Sequence, residues 1–355
     1  MQQNQNHINK KWIVIALMSV VVVIGGLFLY DRHHKNTTPS SYSDFVMDTV
    51  VIQQLYGVKA DEAATEVIDR MCQYEQMCSY YIETSQLSAI NKAAGKSYVA
   101  VDSQLFDLIK MSKDYAAQTK GMFDITVAPL VQLWGVTSDS PKVPAKDKID
   151  HALSLIDSDD ILLKEDTREV MLAREGMEID LGGIAKGYAC VIAKQVYSEF
   201  GIKAGWISIG GNIYTYGITP DKQPYEISIA APVDNRAAML GRVNVGEWVI
   251  ASSGGYERYF EQDGQVYHHI FDVRTGYPSQ SDLAGVTVLC QNGAQADMLS
   301  TYFFVMGTDS VKALLADETI GIIACDKECR VYVSNWLKDS FALTNESYTL
   351  WEEAN

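Results

Sequence analysis

The sequence predicts an α+β protein: a single compound globular unit of mixed sheets and helices, preceded by one N-terminal transmembrane helix. Three observations predict it. Strand-like and helix-like segments alternate without a regular βαβ period, no internal repeat interrupts them, and one uncharged apolar run stands apart at the start. The chain has 355 residues, 47% hydrophobic and 21% charged, a composition that supports a large folded core and excludes disordered and fibrous classes.

Taken in order, residues 1–11 read as a short cytoplasmic tail. Trp12 to Tyr30 (WIVIALMSVVVVIGGLFLY) is 19 residues without a charge, long enough as a helix to span most of the ~30 Å hydrocarbon core. No A-x-A-like cleavage site follows it, and Lys10 and Lys11 before it orient the N-terminus toward the cytoplasm. The sequence thus predicts a single-pass cell-membrane protein with its globular part, residues 44–355, on the extracytoplasmic side, joined through a polar linker at 31–43. Net charge is −16, and the part beyond residue 35 is more acidic still, because Lys10, Lys11, Arg32 and Lys35 oppose only Asp31 before it. Such a surface repels phosphate backbones, so no nucleic-acid partner is expected.

Phe45 to Tyr56 is β-branched and apolar and reads as a first strand. Asp61 to Tyr80 and Gln104 to Thr119 carry helical periodicity. Ile161–Lys164 and Glu169–Leu172 flank a polar turn as a hairpin, and a strand-like Glu178–Gly183 gives way to a helix ending at Phe200. Short strands are expected at Trp206–Ile209, Glu226–Ala230, Arg242–Val245, Val249–Ala251 and Gly285–Cys290, with a hairpin turn at Asp263-Gly264. A buried helix at Ala294–Met306 and a hairpin of Thr319–Cys325 with Arg330–Val333 complete the series. Six cysteines in an extracytoplasmic globule invite disulfides, and Cys325 and Cys329, bracketing that last turn, are the expected pair.

Four clusters could carry chemistry. Asp180-Leu-Gly-Gly-Ile-Ala-Lys186-Gly opens a helix with an acid, a glycine pair and a lysine, which suits an anion and equally suits an ordinary strand-to-helix turn. Asp297 and Thr301 are four residues apart in a helix and present a carboxylate and a hydroxyl side by side, hard ligands for Mg²⁺ or a capping arrangement. His268 and His269 in one strand must face opposite ways, so one faces a site and the other packs or meets solvent. Met122-Phe123-Asp124 to Trp134 could sandwich a flat heterocycle or fill the core.

Read together, FVMDT at 45–49, SYYIETSQLSAIN at 79–91, MFDITVAPLVQLWG at 122–135, IDLGGIAKGYA at 179–189, SIGGN at 208–212, IASSGGYERYF at 250–260, YHHIFDVRTGYP at 267–278 and ADMLSTYFFVMG at 296–307 resemble, in collinear order, the ApbE family of flavin transferases. The resemblance implies an FAD:protein FMN transferase: FAD bound as substrate with Mg²⁺, a Thr or Ser hydroxyl of an acceptor flavoprotein attacking the FMN phosphorus, and AMP leaving. It implies a metal site of Asp297, Thr301 and a backbone oxygen at Gly183, and an FAD pocket of Met47, Tyr81, Met122, Phe123, Asp124, Asp180, Lys186 and Ile270. His269 is the candidate for proton transfer and Asp180 its rival. Acceptors implied by the family are FMN-carrying subunits of redox complexes or other exported flavoproteins. An FAD pyrophosphatase and a non-catalytic flavin-binding protein are the alternatives. Asp48, Gly255 and Val273 stand where the family often has Gly, Asp and Pro.

Overall fold

The computed structural model describes residues 10–233 and 238–352, apart from the side chains of 10–17, 19–22 and 28. Helix α1 (Lys10–Thr37) runs almost directly into a hairpin of β1 (Ser40–Val46) and β2 (Thr49–Tyr56). Two expectations change here. Residues 45–56 are not one strand, because Met47 and Asp48 both adopt left-handed backbone (φ 57° and 54°), the geometry of a two-residue hairpin turn. The expected linker at 31–43 is helix as far as Thr37, and Ser40–Ser43 pair with Ile52–Leu55. Among the described residues no helix is long and apolar enough to cross a membrane, and most side chains of the first half of the expected span, 12–30, lie outside them.

Helix α2 (Ala60–Cys78) follows, burying Ala60, Ala63, Ala64, Val67, Met71, Tyr74 and Cys78 at three- and four-residue steps, with Asp61 and Glu62 in its first turn. Then come α3 (Gln86–Lys92), β3 (Val99–Ala100), α4 (Ser103–Gln118, capped by the Asp102 side chain on Gln104 N–H), α5 (Ala128–Trp134) and α6 (Lys146–Leu153). Hairpin β4 (Ile161–Lys164) and β5 (Glu169–Leu172) takes β3 as a third strand. Glu178–Gly183 forms no strand: Asn91 bridges the Ile179 N–H and C=O through its side-chain amide, and the chain turns sharply into α7 (Ala185–Phe200).

The central sheet is built from strands contributed along the whole chain: β6 (Ala204–Ile209), β7 (Asn212–Gly217), β10 (Val249–Gly254), β15 (Leu283–Cys290), β16 (Gly321–Asp326), β17 (Arg330–Val333) and β19 (Thr349–Leu350), in the order β1-β2-β6-β7-β10-β15-β16-β17-β19. Neighbours are antiparallel except β17 and β19. Helices α2, α7 and α8 (Gly293–Met306) cover one face, and α9 (Thr308–Lys312) follows α8. The other face takes a small sheet, β18 (Phe341–Leu343), β9 (Met239–Val245) and β8 (Tyr225–Ala230) in that order, packed through Ile227, Ile229, Leu240 and Val243 on Ile250, Leu289 and Ile323. Ribbons β11 (Tyr259–Gln262) with β12 (Gln265–His268), and β13 (Phe271–Asp272) with β14 (Tyr277–Pro278), gather their aromatics around buried Trp134, whose indole N–H donates to Gly276 O at 2.9 Å.

The disulfide expected at Cys325 and Cys329 is not formed, and all six cysteines are free. Cys325 ends up opposite Val331 in the β16–β17 register, while Cys329 occupies the turn with φ 61°. Asp326 closes that turn instead, its Oδ1 accepting from Glu328 and Arg330 N–H.

Candidate active site

The site begins with two helices that touch backbone to backbone. A Cβ on Gly187 of α7 would lie 2.1 Å from Gly293 O, and one on Gly293 of α8 would lie 2.2 Å from Gly187 O, so the crossing requires glycine on both sides. Gly187 sits in the first turn of α7, where backbone N–H groups lack an intrahelical acceptor. Asp297, one turn along α8, fills that role from the neighbouring helix: its Oδ2 accepts from Gly187 N–H at 2.9 Å, and the residue is only 4% exposed. Ser300 steadies the turn, donating to Asp297 O at 2.8 Å and sharing a 2.8 Å hydrogen bond with Ser253 of β10. Thr301 follows on the same face, and a Cβ on Gly183 would stand 3.8 Å from its Oγ1 and 3.2 Å from the Phe123 ring. Gly183 backbone, Thr301 hydroxyl and Asp297 carboxylate therefore converge at the base of a cavity of about 350 Å³, within the usual range for a ligand site.

The turn before α7 supplies the next wall. Asp180 N–H donates to Ile125 O, and Asp180 Oδ1 accepts from Gly182 N–H at 2.7 Å, folding the chain back over the cavity. Burial raises the Asp180 carboxyl above its ordinary value, opposed by that N–H and by the Lys186 ammonium. Lys186 lies in the first turn of α7 and reaches the same space.

Met122, Phe123 and Ile270 line the apolar side, and Met47 joins them from the hairpin turn of β1 and β2. Tyr81 stands at the mouth, 74% exposed. Asp124 also borders the cavity, but its carboxylate is engaged elsewhere: Oδ1 accepts from the N–H and hydroxyl of Thr126, and Oδ2 from Ser158 N–H. It holds the 122–127 segment in shape, and burial raises its pKa despite those donors.

The adjacent histidines face opposite ways. His268 turns inward, its Nε2 hydrogen-bonded to Ser279 O at 2.9 Å and its ring edge-on to Phe304. His269 lines the cavity, with Nδ1 donating to Arg258 O at 3.2 Å, a contact that leaves Nε2 as the free acceptor. Burial pushes the His269 imidazole down to about 4, so it is neutral at physiological pH.

The structure brings the residues expected for the metal site, the FAD pocket and proton transfer to this one cavity, whereas His268 and Trp134 lie outside its lining. It also adds neighbours that sequence reasoning missed. Arg258 lines the cavity and approaches Asp48 at 4.0 Å across the mouth, and Ser252 and Ser253 form the β10 wall. The signal for Arg258 was present in IASSGGYERYF as the cation after a glycine pair; its position beside the Met47-Asp48 turn was not.

A family model described as the ApbE family matches residues 47–325, most of the chain and the whole of this cavity. This chain belongs to the ApbE family. Among its relatives, a FAD:protein FMN transferase of Klebsiella pneumoniae (strain 342) is 32% identical over 310 residues, covering 87% of this chain and 96% of that protein. A second, from Treponema pallidum (strain Nichols), is 29% identical over 78% of this chain and 81% of its own length. Among solved structures, the ApbE protein of Thermotoga maritima superposes with a TM-score of 0.79 at 31% identity, covering 85% of this chain and 99% of that one. The flavin transferase ApbE of Vibrio cholerae gives 0.76 at 26% identity, with 85% and 99% coverage. The mixed α+β architecture of this ApbE chain is thus the architecture of its family.

Proposed function

We propose that this chain is an FAD:protein FMN transferase that moves FMN from FAD to a Thr or Ser hydroxyl of an acceptor flavoprotein and releases AMP. Family membership supports the activity, and one observation carries the chemistry: a single cavity unites a hard-oxygen cluster at Asp297, Thr301 and Gly183 with a neutral histidine whose Nε2 is free to accept a proton. Among the described residues no three His, Cys, Asp or Glu side chains converge, so an ion here would take a mixed set of one carboxylate, one hydroxyl and one carbonyl. That set suits Mg²⁺, which keeps positions open for water and substrate phosphates. When bound, Mg²⁺ would supply the positive charge that a protein of net charge −16 otherwise lacks around a pyrophosphate.

The chain's own residues do the rest. Lys186 neutralises a phosphate at the α7 N-terminus, and Arg258 adds a second cation at the mouth. Met122, Phe123, Ile270 and Met47 offer an apolar wall for the isoalloxazine. Asp180 is a positioning residue, because its Oδ1 is committed to Gly182 N–H. His269 Nε2 takes the acceptor hydroxyl proton as the acceptor Oγ–P bond forms and the P–O bond to AMP breaks; AMP departs with the bridging oxygen. We also propose that residues 12–30 anchor residues 44–355 at the outer face of the cell membrane, beside FMN-carrying redox subunits as acceptors.

The test is to incubate the purified full chain with FAD and Mg²⁺, with and without the soluble domain of an FMN-carrying redox subunit, and to follow AMP and acceptor mass. AMP released only with acceptor, together with an FMN-sized mass gain, is the expected result. AMP and free FMN without acceptor would identify a pyrophosphatase, and bound FAD with no AMP would identify a flavin-binding protein.

A further inference from the structure

Beside the catalytic cavity lies a second, smaller one of about 180 Å³, below the size of a small-molecule site. It occupies the gap between the central sheet and the small sheet, with Ile227, Ile229 and Leu240 on one side and Ile250 and Ile323 on the other. At its floor the hydroxyls of Ser252 and Thr287 hydrogen-bond to each other at 2.9 Å. Ser252, Ser253 and Glu257 border both cavities, and the glycine turn between β6 and β7 spans them, Gly210 lining the first and Gly211 the second. The slot therefore adjoins the catalytic site across one end of β10.

Strand β8 forms the rim of this slot, and among the described residues it pairs only with β9. The direction of its backbone groups follows from the ladder. Asn244 N–H donates to Ser340 O, on the β18 side, and Leu240 O accepts from Thr344 N–H on that same side. Leu240, Arg242 and Asn244 thus point away from β8, so Glu226 and Ser228, opposite Asn244 and Arg242, belong to the non-hydrogen-bonded pairs. Their N–H and C=O groups face outward along the free edge, next to the slot. An unpaired edge of this kind is a template for one more extended strand, whose alternate side chains would fall toward the slot.

We propose that an extended segment of the acceptor polypeptide docks on the free edge of β8, seating an apolar side chain in the slot between the two sheets. This rests on the transferase reading. It gives that reading a partner-recognition element outside the FAD cavity: main-chain hydrogen bonds from Glu226 and Ser228 hold the segment, and the slot selects a side chain near the reactive hydroxyl.

Ser228→Pro tests it. Proline removes the outward N–H of Ser228 while leaving the β8–β9 ladder bonds at Ile227 and Ile229 in place. With the acceptor domain that the wild-type chain flavinylates, acceptor KM should rise at least tenfold, with kcat at saturating acceptor and FAD affinity within twofold of wild type. An unchanged acceptor KM in a folded variant would overturn the proposal. Hydrogen exchange of the wild-type chain gives a second measurement that needs no variant: the Glu226 and Ser228 amides should exchange faster than those of Ile227 and Ile229, and slow at least tenfold when acceptor is added. Protection that appears on β1, the edge of the central sheet, and not on β8 would overturn it as well. Failure of transfer itself shows in the wild-type reaction, so it is distinguished from failure of docking.

Discussion

The base and the mouth of the active-site cavity are built in different ways. At the base, Asp297 and Thr301 sit on α8, a helix apolar nearly all round and buried among α7, β10 and β15, and the Gly187–Gly293 contact sets its distance from α7. At the mouth, Met47 and Asp48 lie in a left-handed hairpin turn, Tyr81 is exposed, and Arg258 meets Asp48 in an exposed pair at 4.0 Å. The difference shows where precision is needed. The groups proposed to meet phosphate and metal are held by close-packed backbone, and those at the mouth, proposed to admit FAD and an acceptor, are held by contacts that cost little to break.

The sharpest way to break the comparison is at the base. Asp297→Ala should remove transfer almost completely, at least a thousandfold in kcat, because it deletes the one carboxylate of the hard-oxygen cluster; undiminished Mg²⁺-dependent AMP release would refute the metal assignment. Next in size is Gly187→Ala, which forces a Cβ into Gly293 O and Asp297 Cβ. It should cost about 1–3 kcal/mol or more of stability and lower kcat as well, since Asp297 moves with the crossing. A normal Tm with normal kcat would show that the helix contact yields without consequence.

Lys186→Ala, between base and mouth, should raise the FAD KM about tenfold to a hundredfold, the range expected when a charged hydrogen bond of roughly 1.5–3 kcal/mol is lost. An unaltered FAD KM would mean that the lysine only decorates α7. The pH dependence sharpens the role of His269. Its folded-state value, about 4, lies below the ordinary 6.5, so the neutral base persists as pH falls. The kcat/KM profile should show no loss from His269 protonation between pH 8 and 5. Stability carries the matching sign: the unfolded chain binds the proton first, so His269 makes folding less favourable progressively from about pH 6.5 down to about 4. His269→Gln should remove that contribution to the acid limb of the Tm profile, and an identical profile would argue against a buried neutral histidine.

The smallest effect belongs to the mouth. Asp48→Gly relieves a left-handed aspartate (φ 54°) and removes an exposed ion pair, two small terms of opposite sign. Stability should change by less than about 0.5 kcal/mol and kcat by less than twofold; a larger loss would promote the Asp48–Arg258 contact to a working part of the site.

Much of this molecule was legible in its residues because the signals are local. Helical periodicity marked α2 and α4, a long apolar run marked α8, and the polar turns at 165–168 and 263–264 marked their hairpins. The four-residue spacing of Asp297 and Thr301 and the glycine pair before Lys186 follow from local geometry and reached the cavity, and of the adjacent histidines only His269, just past the end of β12, did so. Where reading failed, turn geometry, strand register or a distant partner decided the outcome. Ile179 is bonded by Asn91 and not by a strand, the Met47-Asp48 turn divides an apolar run that looks continuous, and Cys325 meets Val331 through register. The sequence by itself determined which residues carry hard oxygens, positive charge and imidazole, because those are properties of side chains and short spacings. Only the tertiary structure decided that Gly187 and Gly293 touch, that Asp297 caps a helix not its own, and that Glu226 and Ser228 turn their backbone outward beside the site. Each of those depends on the approach of segments far apart in the chain, and no local pattern encodes such a distance.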